Sequence, residues 1–310
     1  MSGKNVLLIG LILVSLNSCS VRKMVMTRFT ETLSSQQSTV FTSDDDPQLI
    51  AEALPFTIKL YESLASKDSL NPELQLATGK LFCLYAQAFV SFPGDTLHDS
   101  LQAEKKAAGK RAKKLFLRGR DYILRGLDIK HPGFKKGIFS QSPDSLLAIT
   151  DINDTAYLYW GAVCWTSAIM ADRSDLALAM TLKKAVSLAQ RVLSLDQNFG
   201  AGAAHEFLAI YYASAPKAMG GDTVKSQEYF SKAVELSGGN KVSPYVYMAS
   251  SLHLKSKNKE GFTDALNRAM AVKSPPESPN RLLNTIYQQR AAWMLRNIER
   301  FFPEEKVSDE

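Results

Sequence analysis

"VLSLDQNFGAGAAHEFLAIYYASAPKAMGGDTVKSQEYFSKAVELSGGNKVSP", Val192 to Pro244, says nearly the same thing twice. One helical apolar stripe closes on Leu195 and breaks into "DQNFGAG". A second closes on Leu236 and breaks into "SGGN". Glycine just past the last apolar position is a helix stop, because it enters left-handed backbone without a Cβ penalty. Between the stops lie two helices and a loop, "APKAMGGD", Ala215 to Asp222. Pro216 keeps the residue before it out of the α region, Gly220 or Gly221 can take the left-handed conformation, and Asp222 suits the cap of the next helix. The loop therefore reads first as a long interhelical turn. Its second reading is a partner-docking element on the rim.

The same ending recurs outward from this stretch, as "LRGLDIKHPGF" and "AMAVKSPPESP". Leu127, Leu195, Leu236 and Val272 are equivalent positions, separated by 68, 41 and 36 residues. The later spacings approach the period of about 34 of tetratricopeptide repeats. Ala201, Ala204, Ala209 and Ala233 are expected where paired helices approach closely. Upstream, "DDDPQLIAEALPFTIKLYESL" starts order: Asp46 suits a cap and Pro47 the first helical position, while Pro55 is expected to kink the stripe. "PELQLATGKLFCLYAQAFVSF", "TAYLYWGAVCWTSAIMA" and "LALAMTLKKAVSLAQRVLSLDQNF" each read as one helix, and a final helix runs through "NRLLNTIYQQRAAWMLRNIERFF". Four to five helix pairs and no convincing strand predict an all-α chain: stacked helix hairpins forming a tetratricopeptide-like α-solenoid. One pair cannot bury its own stripe, so neighbours must stack, and the concave face of such a stack suits a bound partner.

Chemistry is harder to find. The four histidines, His98, His131, His205 and His253, are scattered, and "HEFLA" lacks the second His of a zinc motif. "GGDTVKS" has Val224 where a phosphate loop needs Gly before its Lys. No GxSxG and no CxxC occur. The sequence predicts no enzyme, no metal and no cofactor. Cys83 and Cys164 lie within apolar helical text and read as small hydrophobes, a disulfide being the minor alternative. Aromatics on all sides of one helix (Tyr157, Tyr159, Trp160, Trp165) indicate burial between neighbours, with a ligand-lined cavity as the alternative. The candidate docking or cavity residues are Tyr157, Trp160, Trp165, His205, Tyr211, Tyr212, Gly220, Gly221 and Asp222.

Charge and terminus bear on location. "MSGKNVLLIGLILVSLNSCS" joins one Lys to an apolar run from Val6 to Leu16, the size of a signal-peptide core and too short to span a bilayer. Leu16-Asn17-Ser18-Cys19 resembles the lipobox of bacterial lipoproteins, in which the Cys19 thiol would accept the lipid. Ser20, rather than Asp, at the next position favours the outer membrane. The expected division is a signal peptide over 1–18, a lipidated tether over 19–43, the helical domain over 44–302 and a disordered tail over 303–310. From Glu104 to Lys136, 12 Lys and Arg face 3 Asp and Glu. Export argues against nucleic acid as the partner of this basic run, leaving a solvated face, anionic lipid or an acidic protein.

"DDDPQLIAEALPF.IKLYESL", "YASAPKAMGGD....EYFSKAVELSGG" and "NRLLN" with "A..ML" together resemble the T component of tripartite ATP-independent periplasmic (TRAP) transporters, a group of tetratricopeptide-related lipoproteins. The likeness covers about Asp44 to Phe301. It implies a non-catalytic helical stack that forms a homotrimer, holds a pore or cavity in each subunit, docks the transporter's soluble solute-binding protein and accommodates a hydrophobic small molecule. The other reading of the same features is a repeat lipoprotein that scaffolds cell-envelope or outer-membrane assembly.

Overall fold

The computed structural model describes residues 41–303 apart from Gln141. The signal-like segment, Cys19 and all but the end of the expected tether lie outside the described residues, as does the tail from 304 on. No strand occurs among the described residues. Ten principal helices carry the fold: α1 (Pro47–Lys67), α2 (Pro72–Ala86), α3 (Gln102–Lys130), α4 (Thr155–Ala171), α5 (Leu182–Leu195), α6 (Ala203–Ser214), α7 (Thr223–Leu236), α8 (Ser243–Tyr247), α9 (Lys259–Ala271) and α10 (Arg281–Arg296). The chain is an all-α stack of helix hairpins.

Helix starts follow side-chain caps. Asp46 accepts from the amides of Gln48 and Leu49, each at 3.0 Å, with Pro47 next to it. Asn71, Asp222 and Asn258 cap α2, α7 and α9 in the same way. Each cap satisfies donors that the helix itself cannot. α1 runs on as one helix through Pro55. The repeated stops hold their places: α5 ends on Leu195, α7 on Leu236, and α9 one residue before Val272. α3 continues to Lys130, where the His131 amide bonds the Leu127 carbonyl at 2.7 Å.

Three expectations change. The text from Leu176 to Leu195 is a short helix, Leu176–Ala179, and then α5. Thr181 lies at the break, its hydroxyl donating to the Leu178 carbonyl (2.6 Å) and accepting from Trp165 Nε1 (2.8 Å). α2 does not run straight to Phe92 but passes through a π-helical turn, Gln87–Ser91, into a short helix, Phe92–Thr96. Ala201 is exposed with φ +48, so it packs nothing. Gly202, at φ +86, makes the close approach instead, and a Cβ there would meet the backbone of Ala233. Ala204, Ala209 and Ala233 are buried as expected.

Neighbouring helices pack in order, α2 on α3, α3 on α4, α4 on α5, α6 on α7 and α9 on α10. Gly79 of α2 and Gly119 of α3 let two backbones meet: a Cβ on either would run into the other's carbonyl. α2, α4, α6, α8 and α10 supply an inner layer. α2 touches α4, α8 touches α10, and α6 touches the π-helical turn Met248–His253 that continues α8. The stack then closes. α10 packs on α1, and Tyr287 meets Phe92 edge-on with ring centres 5.2 Å apart. Arg290 lies 4.1 Å over Phe92 and bonds Asp95 at 3.0 Å. Arg281 pairs with Asp45, and Arg300 bonds Asp99 at 2.7 Å. The last pair thus returns to the first.

Candidate functional site

α4 sorts its aromatics by face. Trp165 is fully buried and Tyr157 nearly so. Trp165 is pinned by Thr181 and by Arg120, whose guanidinium lies 5.1 Å from its ring, and Lys130 covers Tyr157 at 4.9 Å. Tyr159, Trp160, Val163 and Ser167 form the partly exposed stripe of the same helix. Of the aromatic candidates on α4, the structure thus puts Tyr157 and Trp165 in the core and leaves Trp160 partly exposed.

Other inner helices reach the same interior. Lys80 of α2 sits 5.6 Å from the Trp160 ring, and Tyr159 packs edge-on against Trp160 at 5.5 Å. Glu206 of α6 accepts from Ser243 at 3.0 Å. Tyr287 of α10 donates to the Tyr247 hydroxyl of α8 at 3.1 Å. Desolvation pushes the Glu206 carboxyl up to about 7, against smaller opposing effects from Ser243 and Lys241. Desolvation also raises Tyr247 to about 12 and raises Tyr159 and Tyr287, and the charge of Glu206 adds to all three. These side chains come from helices far apart in sequence, yet they share one electrostatic environment. Sequence reading singled out His205 and passed over Glu206 beside it. A charged residue inside apolar helical text, as in "TGKLF" or "AHEFL", was the available signal.

His205, Tyr211, Tyr212 and the loop gather elsewhere. His205 is buried, its Nε2 donating to the Gln197 carbonyl at 3.0 Å, and burial lowers its pKa, so it is neutral. Its ring packs 5.6 Å from Tyr229, which in turn meets Tyr212 at 5.4 Å. Tyr211 donates to the Met219 carbonyl at 2.5 Å, bracing the loop. Gly220 takes φ +99, where a Cβ would strike the Tyr211 hydroxyl. Gly221 has no such φ, but its Cβ would sit on the Ala215 carbonyl. Asp222 accepts from the amides of Val224 and Lys225 at 3.0 and 3.1 Å. Pro216, Lys217 and Ala218 remain exposed.

The basic run is partly neutralised by its neighbours. Lys113 of α3 holds Asp172 and Asp175, each at 2.8 Å, Lys105 holds Asp99, and Arg118 holds Glu62. Lys106, Lys110 and Lys114 fall at every fourth position on one exposed stripe, and none forms an ion pair among the described residues. Cys83 and Cys164 are buried and unbridged, and burial, with Cys83 close by, pushes the Cys164 thiol up. Among the described residues no cluster of His, Cys, Asp and Glu could hold a metal ion, and no helix is long and apolar enough to cross a membrane.

The family described as TRAP transporter T-component matches residues 43–302. The chain belongs to that family. It is also similar to a protein of Treponema pallidum (strain Nichols), described only as uncharacterized, with 32% identity over 267 residues. The match spans 85% of this chain and 82% of the relative. As a T component, the chain is a transport accessory of the bacterial cell envelope.

Proposed function

We propose that this T component docks the soluble solute-binding protein of its transporter and gives the solute a sheltered path through the interior of the stack. The observation that carries this reading is the gathering of Tyr159, Glu206, Tyr247 and Tyr287 from four helices into one electrostatic neighbourhood, with Trp160 packed against Tyr159. Such a lining offers apolar faces with a few polar groups, the composition of small-molecule sites. A hydrophobic small molecule is the expected cargo.

The stripe of Lys106, Lys110 and Lys114 is the proposed docking face, with the exposed tip of the 215–222 loop as a second contact. A solute carrier must leave to reload, so micromolar affinity, about −8 kcal/mol, is sufficient. Cys19 is proposed to carry the lipid that holds the protein at the outer membrane facing the periplasm, and three copies are proposed to assemble. Binding of the purified protein to the solute-binding protein encoded beside it, measured by interferometry across a salt series, tests the docking. Affinity should fall with salt. Changing Lys106, Lys110 and Lys114 to Glu together should lower it by about tenfold or more. Binding indifferent to both removes the basic face as the dock. No binding at all favours the envelope-scaffold reading. Lipid labelling of Cys19→Ser and sedimentation of the intact protein test the anchor and the trimer.

A further inference from the structure

The turn between α4 and α5 carries two strongly exposed apolar side chains, Leu176 at 73% and Met180 at 83%. They sit one turn apart, the Met180 amide bonding the Leu176 carbonyl at 3.0 Å. Phe139, from the short helix Phe134–Ser140, is exposed close to them. Its ring meets Trp165 at 5.1 Å, and Trp165 bonds Thr181, the residue after Met180. Apolar residues exposed singly are ordinary, but three gathered at one tip call for a cause. The base beneath them is fixed. Lys184 donates to the carbonyls of Ile138 and Phe139 at 2.9 and 2.7 Å, and Arg120 lies 5.2 Å over the Phe139 ring. The charge around the tip is one-sided. Lys136, Arg173 and Lys183 are exposed, and none forms an ion pair among the described residues. The acids close by are engaged: Asp172 and Asp175 by Lys113, and Asp121 by Arg120. Asp144, bonded by Ser142, is the exposed acid of the next short helix, Pro143–Ala148.

We propose that this tip, Phe139, Leu176 and Met180 ringed by Lys136, Arg173 and Lys183, rests on an anionic phospholipid surface. The apolar side chains dip among the headgroups, and the cations meet lipid phosphates. Apolar side chains backed by Lys and Arg are the composition of interfacial membrane contacts. Three protruding side chains are little against the roughly 800 Å² per partner that a stable protein interface buries, whereas a fluid bilayer closes around a small tip. A lipid on Cys19 would hold the chain at a membrane without orienting it. Cys19 precedes Phe41, the first described residue, by 22 positions, up to about 75 Å of extended chain. The tip supplies the orientation. This inference goes beyond the docking reading and rests on the Cys19 anchor for location alone.

Hydrogen exchange of the intact protein on lipid vesicles tests it. On vesicles of equal parts phosphatidylcholine and phosphatidylglycerol, amides of residues 136–140 and 172–184 should exchange several-fold more slowly. On phosphatidylcholine alone they should exchange as in the free protein. Leu176→Ser with Met180→Ser should abolish the protection. Arg173→Gln with Lys183→Gln should weaken binding to the anionic vesicles by about tenfold or more. All four side chains are exposed, so circular dichroism and melting should be unchanged. Either double variant suffices should the other misfold. Exchange that ignores the anionic vesicles overturns the proposal. Equal protection on both vesicle types also overturns it, because the cations then contribute nothing. Protection that grows with protein concentration in the absence of lipid overturns it too, and makes the tip a contact between copies. None of these results touches the Cys19 anchor, which lipid labelling decides, or the solute path.

Discussion

Glu206 shows how one side chain sets the state of the interior. Desolvation lifts its carboxyl to about 7, above the ordinary carboxylate range. The folded protein then binds a proton that the unfolded chain has released, so between about pH 4.5 and 7 stability falls as pH rises. The neutral form is the favoured one, and the penalty is complete above the folded pKa. Glu206→Gln should flatten this slope and raise stability at pH 8 by about 1–3 kcal/mol, allowing for partial exposure. Denaturant unfolding at pH 5 and pH 8 reads it directly, and a slope left intact in the variant would assign the titration elsewhere. The two glycines of the loop give a second residue-scale outcome. Gly221→Ala forces a Cβ onto the Ala215 carbonyl, a backbone atom that cannot swing aside, and Gly220→Ala takes on a positive φ. Both should lower the melting temperature, with Gly221→Ala the more harmful. Sequence pointed to both glycines but could not assign them separate reasons. One serves conformation and the other closeness.

At the scale of elements, most of the helices were legible because caps and stops are local chemistry. Asp46, Asn71, Asp222 and Asn258 lie within three residues of the amides they satisfy. The π-helical turns were not legible, since nothing in "QAFVS" or "MASSLH" breaks helical text. The break at Thr181 was also hidden, because it depends on Trp165, 16 residues away. Asn284 is another tie of this long-range kind. Buried in α10, it accepts from the Val242 amide at 3.0 Å and donates to the Asn240 carbonyl and Ser274 hydroxyl, each at 2.8 Å. It joins the α7–α8 turn to the α9–α10 loop. Asn284→Leu strands a buried amide and should destabilise by about 2–4 kcal/mol. Urea midpoints check this. A loss below about 0.5 kcal/mol would mean water replaces the side chain.

The whole molecule departs furthest from what the sequence discloses. Periodicity says that pairs stack, but it is silent on how fast the stack curves. The closing contacts join residues about two hundred positions apart, such as Asp95 with Arg290 and Asp99 with Arg300. The contacts of Tyr247, Tyr287 and Arg290 depend on this curvature, which is why these residues escaped a reading based on local pattern. Arg290→Met removes an ion pair and a guanidinium stacked on Phe92, and leaves Asp95 without its partner. A cost of about 1–3 kcal/mol is expected, more than for an exposed surface pair. Melting curves of Arg290→Met and of Arg290→Met with Arg300→Met check the closure, and additive, negligible losses would count against it. Because the ends meet, the wall has no lateral opening between first and last helices. An open solenoid lets an extended polymer settle sideways into its groove; a ring admits only what can be threaded through a rim. If the interior is the solute path proposed above, a folded partner would meet the protein only from the outside, and only a small molecule could enter end-on.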